Sequence, residues 1–244
     1  MDDAGCFCLI LHAHLPYVLG HGEWPHGERM LYDAAADCYL PLLRVFRELA
    51  AEGIPPRVTV SITPVLMEQL ADERFQDWFP RYLSERIAAA EANRDEFTGR
   101  GEGHLAWLAE RWAQHYHDLQ ELFLNDLQRD ILGGFRRLHE DGAIEVMTSA
   151  ATHGYLPLLH EECSVQAQVR VGIETYVRHM GCHPRGFWLP ECAYRPRARW
   201  APPAEVVPPD GTTWLRKGIH EFLAESGIDY FIVDTHLLGG GDPL

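Results

Sequence analysis

A single carboxylate, Glu191, stands directly after the apolar run Gly186 to Leu189, in the segment GFWLPECAY that ends at Tyr194. Pro190 fixes the backbone there and Glu191 leaves the strand. A carboxylate at the C-terminal end of a strand is where a barrel enzyme carries a reacting group. Read on residue type alone, Glu191 is either that group or a structural partner for Arg195, Arg197 or Arg199. His12 and His14 flank Ala13 at the end of the first apolar run. Residues two apart on a strand share a face. Such a pair can ligate a metal, donate hydrogen bonds to a polar ligand, or solvate the strand end. A metal needs a third ligand, and Asp234, His236 and His153 each follow a strand-like run.

Aromatic residues cluster at the same strand ends: Tyr17, Trp24, Tyr155, Trp188 and Tyr194. A sugar ring has an apolar face and a rim of hydroxyls, so aromatic stacking combined with His and Asp hydrogen bonds suits it. The same rings would serve equally well as loop and core packing. His21 and His26 read as surface histidines, and the stripe from Trp107 to Leu127 reads as core.

The elements that must position these residues follow from the apolar pattern. Cys6 to Leu11, Val58 to Ile62, Ile144 to Thr148, Gly186 to Leu189 and Tyr230 to Val233 read as about five buried strands of a parallel sheet. Tyr32 to Glu52, Gln166 to Met180 and Trp214 to Glu225 read as helices. Residues 74–140 are long, charged and rich in Ala, Leu, Glu and Arg, the pattern of an inserted set of two or three helices. The stretch from Arg195 to Gly211 holds five prolines and reads as an irregular loop leaving a strand end. The strands fit either an open doubly wound sheet or most of a barrel.

Composition narrows the partners. The 244 residues carry 21 Lys and Arg against 36 Asp and Glu, a formal net charge of -15. A field of that sign repels nucleic acid and anionic lipid, and suits a neutral or cationic ligand. No apolar run approaches the ~20 residues needed to span a bilayer, and no basic leader precedes Asp2 and Asp3. The six cysteines are scattered with no Cys-x-x-Cys pair, as in a cytoplasmic protein with reduced thiols.

Four ordered segments carry a family resemblance: HAHLPYV from His12, THGYLPLL from Thr152, GFWLPECAY from Gly186 and YFIVDTH from Tyr230. Together with HGEWPHGE from His21, they resemble glycoside hydrolase family 57, in particular its α-1,4-glucan branching group. The resemblance implies an α/β fold: an incomplete seven-stranded (β/α) barrel of the glycoside hydrolase and deacetylase type, with a helical insertion. Residues 1–244 would be one partial catalytic domain, with the insertion at about 74–140 and the last strands absent. It further implies retaining glycosyl transfer on α-glucan, as in glycogen or amylose metabolism, with Glu191 as nucleophile and no metal or other cofactor. The acid/base Asp of the family falls in a motif that no segment of this chain matches. His12, His14 and His153 would line the donor subsite, and Trp24, Trp188, Tyr194 and Asp234 would contact sugar.

Two other readings fit the residues. One is a metal-dependent carbohydrate deacetylase or mannosidase on a related barrel, with His12 and His14 as ligands. The other is a truncated, non-catalytic glucan-binding protein. Neither the choice among branching, disproportionation and hydrolysis nor the oligomeric state follows from the residues.

Overall fold

A computed structural model describes residues 5–200 and 214–237. Five short strands made largely of β-branched and apolar residues form one parallel sheet. They are β1 (Ile10–Ala13), β2 (Thr59–Ile62), β3 (Glu145–Ser149), β4 (Gly186–Trp188) and Tyr230–Ile232, paired in that order. The register sets His12 beside Ser61 and Ser149 beside Trp188. The parallel strands are joined by helical crossovers, as parallel pairing requires.

By contacts the chain divides into two compact units. The first comprises Met1–Pro16, Val58–Met67 and Glu145–Leu244, and contains the sheet. Its core lies beneath β3 and β4, where Phe187 and Leu189 meet Val165, Val169, Ile173, Phe222 and Leu223, all buried. The second unit, Tyr17–Arg57 and Glu68–Ile144, is helical. It holds α1 (Arg29–Ala34), a π-helical turn at Ala35–Tyr39 and α2 (Leu40–Ala51). The widened turn immediately precedes Pro41, whose missing N–H and bulky ring disturb the regular ladder. Pro64–Ala71 forms α3. The second unit continues with α4 (Glu73–Gly99), α5 (Gly103–Glu121) and α6 (Ile131–Glu140).

Several expectations are corrected. The first strand begins at Ile10; Cys6 to Leu9 are exposed and outside it, the Leu9 carbonyl accepting the Thr59 N–H at 3.0 Å as the last link to β2. The reason lies in the sequence before β2, where Pro55 and Pro56 have no N–H to donate to a ladder. In α5, Trp107 and Trp112 are 57% and 51% exposed. The second half of the expected stripe is buried, at Leu119, Leu122, Phe123 and Leu127, and in the first half the small Ala109 and Ala113 take the buried face that the tryptophans leave.

The proline-rich stretch contains a strand, β5 (Ala198–Trp200), and the expected helix at Trp214 opens as a second, β6 (Trp214–Arg216). The two pair antiparallel, with Trp200 opposite Trp214 and their rings 5.1 Å apart. Cross-strand aromatic packing of this kind stabilises a short ribbon. Helical structure starts only after Gly218. The helices of this unit are α7 (Glu162–Met180) and α8 (Ile219–Glu225), and Tyr230–Ile232 is β7. The Glu221 carboxylate accepts the Gly218 N–H at 2.8 Å, capping α8. The tail from Gly239 to Leu244 and the prolines 202, 203, 208 and 209 lie outside the described residues. None of the six cysteines is in a disulfide among the described residues. No described helix is long and apolar enough to cross a membrane.

Candidate active site

The C-terminal ends of β1, β3 and β4 bring four rings into one pile. Trp188 stacks on His12 at 4.3 Å and 10°, and His12 on His153 at 5.0 Å and 26°. His153 in turn stacks on His14 at 4.1 Å and 28°. Each imidazole is anchored from below by a hydroxyl. His12 Nδ1 lies 3.0 Å from Ser61 Oγ, His14 Nδ1 3.2 Å from Thr63 Oγ1, and His153 Nδ1 3.0 Å from Ser149 Oγ. Ser61, Thr63 and Ser149 are fully buried. With Nδ1 spent in this way, Nε2 is the nitrogen each ring has left for a ligand.

Electrostatics keep the pile neutral. Loss of solvent lowers the His12 pKa to about 4, and His14 adds to the shift, although His12 as a whole residue keeps exposed surface. His153 is lowered to about 3 by burial, then by His14 and His12. Burial also lowers His14, while the Glu191 carboxylate acts in the opposite direction. Glu191 is therefore close enough to His14 for its charge to be felt there.

Glu191 is exposed and sits in a left-handed backbone conformation, φ 56° and ψ 26°. Cys192 follows at φ 51°, and His153 is held at φ 56°. Three of the six non-glycine residues with positive φ among the described residues thus fall at this one place. Strain of that kind persists only where the surroundings impose it, and it gathers at functional sites. The Cys192 thiol is pushed up by burial, then by the charges of Asp234 and Glu191, so both carboxylates lie near it.

The remaining expected residues divide. Tyr194 is half-buried, stacked on Phe231, and its hydroxyl meets His220 Nδ1 at 2.8 Å. Asp234 is exposed just beyond β7. Trp24 is 78% exposed and belongs to the helical unit. Ser61, Thr63, Ser149 and His220 were not among the sequence candidates. The one signal for the hydroxyls was a polar residue inside each of the apolar runs VTVSIT and EVMTS. Among the described residues no group of three His, Cys, Asp or Glu side chains is placed to hold a metal ion. The imidazoles lie face to face, and ligands to one metal would instead aim their nitrogens at a common point.

Comparison with known proteins identifies the family. The profile of Glycosyl hydrolase family 57 matches residues 8–238. The 1,4-alpha-glucan branching enzyme TK1436 of Thermococcus kodakarensis is 38% identical over 237 residues, covering 97% of this chain and 33% of that enzyme. Among solved structures, the GH57-type branching enzyme of Pyrococcus horikoshii superposes with a TM-score of 0.88 at 40% identity, over 96% of this chain and 42% of that one. The alpha-amylase AmyC of Thermotoga maritima superposes at 0.78 with 32% identity, over 94% of this chain and 39% of that one. The chain thus spans about a third of the length of the curated relative it matches. Its α/β fold, its parallel sheet and its ordered motifs all agree: the chain belongs to glycosyl hydrolase family 57.

Proposed function

We propose that this chain carries the donor side of a retaining glycosyl-transfer site for α-glucan, with Glu191 as the nucleophile. The observation that carries the reading is the backbone at Glu191. A carboxylate held in a strained, exposed conformation at the end of β4, within electrostatic reach of a neutral histidine pile, is poised for reaction. The carboxylate attacks the anomeric carbon and forms a glycosyl ester as the glycosidic C–O bond breaks. An acid protonates the departing oxygen, and the same group then takes the proton of the incoming hydroxyl.

His12, His14 and His153 hydrogen-bond the bound sugar through Nε2, and Trp188 packs its ring edge beside it. Asp234 is the next polar group of the site, and Trp24 a stacking residue for a longer chain. In this reading the acid/base lies outside the 244 residues, about 5–5.5 Å from Glu191 in the assembled site. The sheet is then part of a seven-stranded barrel. The relatives named as 1,4-alpha-glucan branching enzymes favour a glucan 6-hydroxyl as acceptor, which gives an α-1,6 branch. The amylase neighbour marks water as the acceptor that a branching site must exclude.

An activated glycosyl fluoride tests the nucleophile. Fluoride leaves without protonation, so the first step does not need the acid. A 5-fluoro-α-glucosyl fluoride is expected to leave one glycosyl adduct, on the peptide that contains Glu191, and none on Glu191→Gln. An adduct on another residue, or one that persists in Glu191→Gln, overturns the assignment.

A further inference from the structure

Ser149 ends β3, is fully buried, and touches two partners through one oxygen. Its Oγ lies 2.7 Å from the Trp188 carbonyl oxygen and 3.0 Å from His153 Nδ1. A carbonyl can only accept, and a serine hydroxyl has a single proton. That proton must go to Trp188. His153 Nδ1 then has to be the donor to Ser149, because two lone pairs facing each other at 3.0 Å would repel.

We infer that Ser149 is a positioning residue that fixes His153 as the Nδ1–H tautomer, leaving Nε2 as an obligatory hydrogen-bond acceptor in the sugar site. His153 is neutral at neutral pH, so Nε2 carries no second proton. A bare nitrogen accepts from a hydroxyl and repels a carboxylate or carbonyl oxygen. The site therefore selects a neutral sugar with a hydroxyl at that position, against a uronic acid or a deoxy sugar. The same hydroxyl ties His153 to the backbone at Trp188, three residues before Glu191. Ser61 and Thr63 impose no such choice on His12 and His14, because among the described residues no second acceptor claims their protons. The selectivity for a sugar rests on the proposed glycosyl-transfer reading; the tautomer does not.

Long-range proton–nitrogen NMR correlation on the isotope-labelled 244-residue protein, with no sugar present, reads the tautomer. His153→Gln assigns the signals by their loss. The expected spectrum has a protonated Nδ1 and an unprotonated Nε2 at neutral pH. Ser149→Ala should give a mixture of tautomers, and Ser149→Thr should restore the wild-type pattern. A proton on Nε2 in the wild type overturns the inference, as does a Ser149→Ala spectrum unchanged from it. If Ser149→Ala does not fold, the wild-type spectrum alone decides. Maltotriose then tests the use of Nε2: its affinity should fall about tenfold in Ser149→Ala. Unchanged affinity with the expected tautomer overturns the sugar-selecting role only. Failure of glycosyl trapping at Glu191 would leave the tautomer result standing.

Discussion

At the scale of single residues, the site is built from conformations and charges that folding alone would not select. Glu191 holds a positive φ although its exposed side chain buries little. A non-glycine residue there costs on the order of 1–3 kcal/mol. Glu191→Gly is therefore expected to stabilise the fold by about 1 kcal/mol while abolishing the glycosyl adduct. Chemical denaturation checks the first half, and a lowered midpoint would refute it.

The histidines give a pH dependence with a definite sign. The folded pKa values of His12 and His153, about 4 and about 3, lie below the unfolded 6.5. Above pH 6.5 both states are neutral and stability does not respond. Below it the unfolded chain takes up protons that the folded rings refuse, so stability falls between pH 6.5 and 4. Thermal midpoints should drop across that window, and a His12→Gln, His153→Gln double variant should drop less steeply. Parallel curves for the two proteins would argue against the assignment.

At the scale of elements, α7 governs where β3 ends. Gly172 lies in the middle of that helix, where glycine is a poor helix former. A Cβ there would meet Ser149 O at 2.3 Å and Ala151 N at 3.2 Å, so only glycine allows this approach. Thr148 Oγ1 donates to Gly172 O at 3.2 Å and fastens the two elements together. Gly172→Ala must move the backbone that presents Ser149. It should cost about 1–3 kcal/mol, typical of overpacking, and slow glycosyl trapping as well. Denaturation and trapping rates measured on one preparation check both, and a neutral effect on each would show that the contact yields freely. The β5–β6 ribbon shows the same coupling at a loop. Arg216, fully buried, donates to Leu159 O at 2.7 Å and lies over the Trp200 ring, so the ribbon is rooted on the segment that follows His153.

At the scale of the whole molecule, the proposed reading gives the chain a nucleophile and a donor pocket but no acid/base. Loss of one member of a catalytic pair costs many orders of magnitude with an ordinary leaving group. The 244-residue chain should therefore take up a label from the activated fluoride and leave amylose unbranched. Iodine staining of amylose after prolonged incubation is the check, and a falling stain would place the acid/base within these residues. The net charge of -15 fits a neutral polysaccharide, which such a field does not repel.

The residue pattern by itself determined the strand ends, because short apolar runs followed by polar or aromatic clusters are a local signal. His12, His14, His153, Glu191 and Asp234 were legible on that basis, and four ordered motifs carried the family. What pairs with what is a property of the fold. The loss of strand pairing before Ile10 depends on Pro55 and Pro56, more than forty residues on. The ribbon of Ala198–Trp200 and Trp214–Arg216 depends on two tryptophans meeting across a proline-rich stretch. The expected stripe holds at Leu119, Leu122, Phe123 and Leu127, but in the first half of α5 the buried face belongs to Ala109 and Ala113, and Trp107 and Trp112 stand exposed. The stacked imidazoles and the hydroxyls beneath them belong to the same class. Ser149 reads in the sequence as one more strand residue. Only the approach of β4, which brings the Trp188 carbonyl to its oxygen, leaves it no proton to give to His153.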